Sequence, residues 1–478
     1  MFTAKQRRVK YLWEKIQHKI WKKPLEVDTR IEGEEHGELP VVGSFYLRFG
    51  ALIFAIVACV YYGFSAYWGV FTALDICAIF FTIFQTHLIF FSSTMFDEKF
   101  YVISCFGTMH LVSTNLVTWV QFLFAKNQST EKSIAKYFDK KKKEFGKKIL
   151  SNITTTIRSI IYNSDEEDDD IRSRSIPANS RSRIPYTKDC RGLECVFGSF
   201  TKIFYTAVVE YSLIAAVVMF IVWHNLGRKK SNRISHSTHP ISPPFPLKKL
   251  VFGLIFGLIF TIGTALSMIF FYVNWYHNEH LDAALNFNIT DTVQNGIGII
   301  ACIFAFWRLR LLDFADHGAE HDPHHDIHAN QELLDMILLA IGTIGELSFS
   351  ISGLAGVCSN KAWNSLTILL AIARILRIIQ SIIQSFLIAF ASKLKSTDPD
   401  RHPGRQTITF LVILNMAMFI YQWFISDKAG TYEGVISLYG EESWAFFVSI
   451  FSPLTVFFRF HSSVCFVEIW KHTYAKPH

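Results

Sequence analysis

Charge is scarce in this sequence. Asp, Glu, Lys and Arg make up 18% of its 478 residues, against about 25% in soluble globular domains. That shortfall argues against a water-soluble protein. Cysteine is sparse as well, at eight residues. Most of these lie inside apolar runs, where cysteine serves as a small core residue, so no disulfide framework is expected. Cys190 and Cys195 share a polar loop and could pair if that loop faces an oxidising compartment. The chain holds no Walker sequence, no GxSxG elbow and no dinucleotide fingerprint. The charged N-terminus lacks an apolar stretch followed by a small-residue cleavage site, so no secretory signal is expected.

What is plentiful is hydrophobicity. Half of the residues are hydrophobic, 15% are aromatic, and Phe alone occurs 45 times. These residues fall in long runs near 45–68, 71–94, 100–125, 198–225, 250–275, 292–312, 333–358, 362–392, 406–426 and 443–470. A helix needs about 20 apolar residues to span a bilayer. In lipid, helices alone satisfy the backbone of runs this long. The expected fold class is therefore an all-α, polytopic membrane protein with about ten transmembrane helices.

Basic residues set the expected orientation. Lys5, Arg7, Arg8, Lys10, Lys15, Lys19, Lys22 and Lys23 precede the first run, Arg228, Lys229, Lys230, Arg233, Lys248 and Lys249 follow the fourth, and Lys393, Lys395, Arg401 and Arg405 follow the eighth. All three clusters are expected in the cytoplasm, with both termini. Residues 9–21 place Val9, Leu12, Trp13, Ile16 and Ile20 on one helical face, which suits either an interfacial helix or a solvated basic tail. Residues 277–291 and 427–442 are acidic and are expected outside. Sequons at Asn127, Asn152 and Asn288 fall in outside loops and mark candidate glycosylation sites. Residues 126–197 run from KKKKEFGKK through DEEDDD to RSRSIPANSRSR and are expected to be a disordered extracellular insertion. The expected layout is a tail over 1–44, a membrane half over 45–228, a linker over 229–249, a second half over 250–470 and a tail over 471–478.

Ionisable groups at bilayer depth are costly and mark pathways or partners. Gln85 and His87 lie in the second run, His110 and Asn115 in the third, Glu210 and Tyr211 in the fourth, and Glu346 in the seventh. Gly342, Ser350 and Gly353 share the face of Glu346, which would let another backbone or a file of water approach. Arg377, Gln380 and Gln384 form one stripe on the eighth run. Asn415 and Gln422 lie a heptad apart on the ninth. His461 and Glu468 share a face of the last run, and Arg459 points elsewhere. A single amide of this kind is ordinarily an interhelical hydrogen bond of about 1 kcal/mol. The set taken together, with titratable Glu and His among amides and a phenol, has the residue types of a membrane proton relay. Pro453 is the one clear mid-span break.

HDPHHDIH at 321–328 has the HxxHH spacing of membrane di-iron oxygenases and desaturases. His236/His239 and His277/His280 add two HxxH pairs. An oxygenase needs its histidine boxes on one side of the membrane, and the expected orientation separates them. No enzyme is expected; the string reads either as a cytoplasmic metal- or pH-sensing loop or, more simply, as a solvated polar loop.

Several stretches together resemble the otopetrin family of proton channels. They are FGTMHLVSTNLVTW (106–119), VEYSLIAAVVMFIVWHNLG (209–227), PGRQTITFLVILN (403–415), SPLTVFFRFHSSVCFVEIW (452–470) and QTHLIF (85–90). The resemblance implies homodimers whose subunits each contain two six-helix halves of similar fold. It also implies a Gln–Asn/Asp–Tyr triad in each half, with a membrane Glu and His. In the first half the matching residues are Gln85, Asn115 and Tyr211, with His87 beside the glutamine. In the second half they are Gln384, or less closely Gln380, and Asn415, with Phe458 where the family has its tyrosine. Glu210 and His461 match the membrane Glu and His, and Glu346 resembles an acidic position of the second half. The first run aligns best with the family's third helix, so a sequence without the family's first two helices is expected. The expected function is a plasma-membrane proton channel opened by extracellular acid and blocked by zinc, with no cofactor and no nucleic-acid partner. The alternatives are a proton-coupled solute transporter and a non-conducting membrane scaffold.

Overall fold

The computed structural model describes residues 44–68, 72–95, 101–162, 197–226, 251–277, 279–314, 323–359, 363–395, 402–429 and 438–474. The long helices among them are α1 (Phe45–Trp68), α2 (Thr72–Met95), α3 (Tyr101–Tyr162), α4 (Thr201–Asn225), α5 (Val251–Tyr276), α6 (His280–Leu309), α7 (Pro323–Cys358), α8 (Ser365–Ala391), α9 (Arg405–Ala429) and α10 (Glu441–Thr473). Nine are long and apolar enough to cross a membrane. The other, α3, couples an apolar first part to a charged second part.

Two helices organise the bundle. α4 packs on α1, α2 and α3, and α10 packs on α7, α8 and α9. Both are enclosed by neighbours on most sides, so their polar groups as well as their apolar ones are buried. Within their spans 83% and 72% of residues are buried, against 17% in α5. The uncovered side of α5 shows Phe252, Phe256, Leu258 and Ile259, a face suited to acyl chains. α5 packs on α6 and α9, and α6 packs on α8.

Helices α1–α4 meet α5–α10 mainly where α10 touches α1, α3 and α4, with further contacts of α4 to α7 and α9. An aromatic cluster fills that seam. Phe54 of α1 meets Phe460 of α10 edge-on at 5.2 Å, and Trp423 of α9 at 5.7 Å. Lipid is as apolar as these rings, so packing contacts and ring geometry hold the seam. On α7, glycines let α10 close in. A Cβ at Gly342 would come within 3.1 Å of the Phe458 Cα, and one at Gly345 would collide with Leu454.

Short strands β1 (Asp313–Phe314) and β2 (Leu394–Lys395) pair antiparallel just beyond α6 and α8. Thr473 donates to the Leu394 carbonyl at 3.1 Å, and Tyr474 donates to that of Pro403 at 2.6 Å. These contacts gather the last turns of α6, α8 and α10 and the start of α9 at one end of the bundle.

Four expectations change. The third run does not give way to a structureless loop at 126, because α3 continues to Tyr162 over 62 residues, about 93 Å at 1.5 Å per residue. Residues 131–162 contain no proline and one glycine, Gly146, so nothing local breaks the helix. Lys126, Ser129, Thr130 and Ile134 are buried, and Ile134 shares a core with Phe349 and Trp444. The sixth helix begins at His280, so residues 280–291 are helix and not an acidic outside loop. Asn288 is 5% exposed there and donates to the Ala284 carbonyl, which leaves no room for a glycan. Pro453 does not break α10, which runs from Glu441 to Thr473 with the proline inside. Surrounding helices stabilise a membrane helix through such a residue. The 9–21 helix, Cys190, Cys195, the 229–249 linker, His236, His239 and His321 lie outside the described residues.

Candidate functional site

The largest polar cluster lies inside the second half and draws on α6, α7, α8, α9 and α10. Glu346, fully buried on α7, accepts a bidentate pair of hydrogen bonds from Arg377 of α8, Nε to Oε1 and Nη2 to Oε2. Arg459 Nη2 of α10 adds a third contact to Oε1 at 3.4 Å. Asp291 on α6 lies 3.7 Å from Arg377 Nη1. Asn295 donates to the Asp291 carboxylate at 3.0 Å and accepts from Arg459 at 3.1 Å. A charge-assisted pair with matched fork geometry is the arrangement that survives burial.

An amide ladder continues from it. Arg459 Nη1 donates to Gln380, Gln380 donates to Gln384 at 2.7 Å, and Gln384 donates to Asn415 at 2.9 Å. Asn415 returns a bond to Gln384 at 3.1 Å. Phe458 is fully buried beside the ladder, with the Arg459 guanidinium 5.2 Å from its ring centre. The stripe on α8 thus faces one interior, and Arg459 has its separate partners. In the side chains of the ladder almost every donor and acceptor is used.

The first half is built differently. Tyr211 on α4 bonds the Thr86 hydroxyl at 3.0 Å and the Thr82 carbonyl at 3.2 Å, both on α2. Gln85 is fully buried, and neither its amide nitrogen nor its oxygen has a partner. Asn115 is buried and donates back to the Leu111 carbonyl at 2.7 Å. Among the described residues no hydrogen bond joins Gln85, Asn115 and Tyr211 to one another. Glu210 is 1% exposed, and both carboxylate oxygens lack a hydrogen-bond partner. Its electrostatic counterpart is Lys126 of α3, whose ammonium donates to Thr206 one turn away at 3.0 Å. Buried polar groups without a protein partner take up water or carry a lasting penalty of about 1–3 kcal/mol each.

His461 lies between α10 and α7. Its Nε2 is 2.9 Å from the Asp335 carbonyl oxygen, and its ring stacks on Phe457. Glu468 faces the same helix and accepts from Gln331 at 3.0 Å. No hydrogen bond or ion pair links Glu210 with His461 among the described residues. His87 and His110, by contrast, are exposed; His87 packs at a tilt against Phe91, and His110 stacks on Phe106. The two histidines therefore stand apart from the buried polar groups. Of the sequons, Asn152 is exposed on α3, while Asn127 is half-buried and accepts from Ser449 at 3.4 Å.

Sequence reading missed Asp291, Asn295, Asp335 and Lys126. Asp291 and Asn295 stood in or next to a presumed loop, and Lys126 stood at the end of an apolar run. An i, i+4 Asp/Asn pair followed by an apolar run was the available signal for the first two.

A family model described as Otopetrin matches residues 46–460. A Drosophila melanogaster protein named Proton channel OtopLc is 25% identical over 466 aligned residues, which cover 90% of this chain and 28% of that protein. A Homo sapiens protein named Proton channel OTOP3 is 20% identical over 309 residues, covering 56% of this chain and 50% of that protein. The chain thus spans half or less of the length of these curated relatives. The family match extends from the start of α1 into α10 and takes in both polar interiors, and the chain belongs to the otopetrin family.

Proposed function

We propose that this chain conducts protons across the plasma membrane as a homodimeric channel opened by extracellular acid. Both relatives described above are named proton channels. We further propose that protons pass through the first half. The observation that carries this is Glu210, a buried carboxylate with two unpartnered oxygens. A titratable group able to exchange with trapped water can relay a proton. The second half offers a poorer route. Its ladder amides are already bonded to one another, and the Arg377 and Arg459 guanidinium groups lie among them. Fixed positive charge in a narrow polar passage opposes a proton.

Whole-cell recording with an acidified bath tests the proposal. The expected result is an inward current that reverses at the proton equilibrium potential and is blocked by external zinc. Glu210→Gln at unchanged surface level should remove most of it, and Gln384→Leu should leave most of it. Electroneutral, substrate-dependent acid uptake, or silence from protein at the cell surface, would refute conduction. Full current in Glu210→Gln would refute the first-half route.

A further inference from the structure

We propose that Asp335, His461 and Cys465 form a binding site for a divalent transition-metal ion, with zinc the best match to the donors. The proposal does not depend on conduction. His461 and Cys465 stand at i, i+4 and so share one face of α10. Asp335 meets them from α7. Cys465 Sγ is 3.4 Å from His461 Nε2, and the nearer Asp335 carboxylate oxygen is 3.9 Å from it. The three candidate ligand atoms all lie within 4.8 Å of one another. Zinc bonds of about 2.0–2.3 Å in a tetrahedron hold ligand atoms roughly 3.3–3.8 Å apart. A small inward movement of each side chain completes the geometry.

The local chemistry calls for a cation. Two oxygens of Asp335, its carbonyl and a carboxylate oxygen, and the Cys465 thiol converge on one ring nitrogen. A single N–H can satisfy only one of the two oxygens well. Asp335 is 6% exposed, yet its Oδ1 has no hydrogen-bond partner, and neither has His461 Nδ1. The charged neighbours of Asp335 are themselves acidic, Glu468 and Glu332. Among the described residues neither Lys nor Arg pairs with it, whereas Glu346 has two arginines. A divalent ion bound by one thiolate, one carboxylate and neutral imidazole has no net charge, which suits a dry interior. Nitrogen, sulfur and oxygen donors together favour zinc over calcium or magnesium, which take oxygen.

Glu468 lies one turn beyond Cys465, with His472 at 3.5 Å and Lys471 at 3.6 Å from its carboxylate. His472 is 43% exposed, so this end of α10 opens outward. The fourth metal position is open to Glu468 or to water. Bound metal would tie α7 to α10 and fix the His461 ring.

The test uses the full chain purified in detergent, stripped with chelator and reloaded with Zn²⁺ or Co²⁺. Mass spectrometry is expected to find one tightly held metal ion per chain. Co²⁺ should give a thiolate charge-transfer band and tetrahedral visible bands. Cys465→Ser should abolish the charge-transfer band, and Asp335→Asn should lower Zn²⁺ affinity at least about ten-fold. Cys358→Ser, exposed at the far end of α7, should keep the full spectrum. Zn²⁺ should raise the melting temperature of the stripped parent, a readout that stands even if a ligand variant folds poorly. No thiolate band in the parent, the same band in Cys465→Ser, or no thermal shift with Zn²⁺ would overturn the proposal. None of these readouts measures current, so failure here leaves the channel proposal intact.

Discussion

Removing the charge of Glu346 should destabilise the bundle far more than its conservative size change suggests. Glu346→Gln keeps the volume and one acceptor oxygen, but it removes the negative charge and turns the other oxygen into an NH2 donor, which breaks the two-pronged pair with Arg377 and weakens the Arg459 contact. The surrounding ionic set is Arg374, Arg377 and Arg459 against Glu346 and Asp291. Three positive against two negative leaves one surplus charge, and the amide leaves two. Breaking a buried pair from one side costs about 3–5 kcal/mol, because the surviving charge keeps its desolvation penalty. At about 2 °C per kcal/mol for a large domain, the melting temperature should fall by about 6–10 °C. Thermal unfolding in detergent, followed by the intrinsic fluorescence of the eleven tryptophans, reads this directly. Arg377→Lys should fall between parent and Glu346→Gln, since it keeps the charge and loses the fork. Glu441→Gln, at an exposed position in the first turn of α10, should stay within about 0.5 kcal/mol of the parent. If Glu346→Gln melts within about 1 °C of the parent, the ionic cluster is not holding the second half together and the reasoning fails.

Two further outcomes follow from packing and exposure. Gly342→Val should push α10 away at Phe458 and cost about 1–3 kcal/mol, visible as a lower yield of monodisperse protein on size exclusion; an unchanged profile and melting temperature would contradict the close helix approach. Asn152→Gln should abolish the mass shift on deglycosylation, and Asn288→Gln should leave it unchanged, because the first side chain is exposed and the second is enclosed; a glycan found on Asn288 would contradict the placement of α6.

Legibility in the sequence followed the physical strength of each signal. The apolar runs were read well because lipid permits one backbone solution. The α8 stripe was read well because its spacing of three and four residues places Arg377, Gln380 and Gln384 on one face. Gln384 and Asn415, which the family resemblance set in one triad, exchange hydrogen bonds with each other. The start of α6 was misread because Asp282, Asn286, Asn288 and Asp291 look like loop composition. Their polarity is absorbed by neighbours, such as Ser267, whose carbonyl accepts from Asn286 at 2.9 Å. The continuation of α3 was misread because charge density was taken for disorder, although a basic, proline-free segment is also a good helix former.

Composition and periodicity by themselves decided that this chain is a helical membrane protein with titratable groups at bilayer depth. Both follow from the local chemistry of the chain, from what lipid accepts and from which residues share a helical face. Which buried groups are paired was decided only by tertiary structure. Glu346 and Glu210 look alike in sequence, each an acid in an apolar run. One is clasped by two arginines from other helices, and the other has two bare oxygens. A partner that arrives from a distant helix leaves no trace in local spacing, because interhelical geometry alone brings it within hydrogen-bond distance.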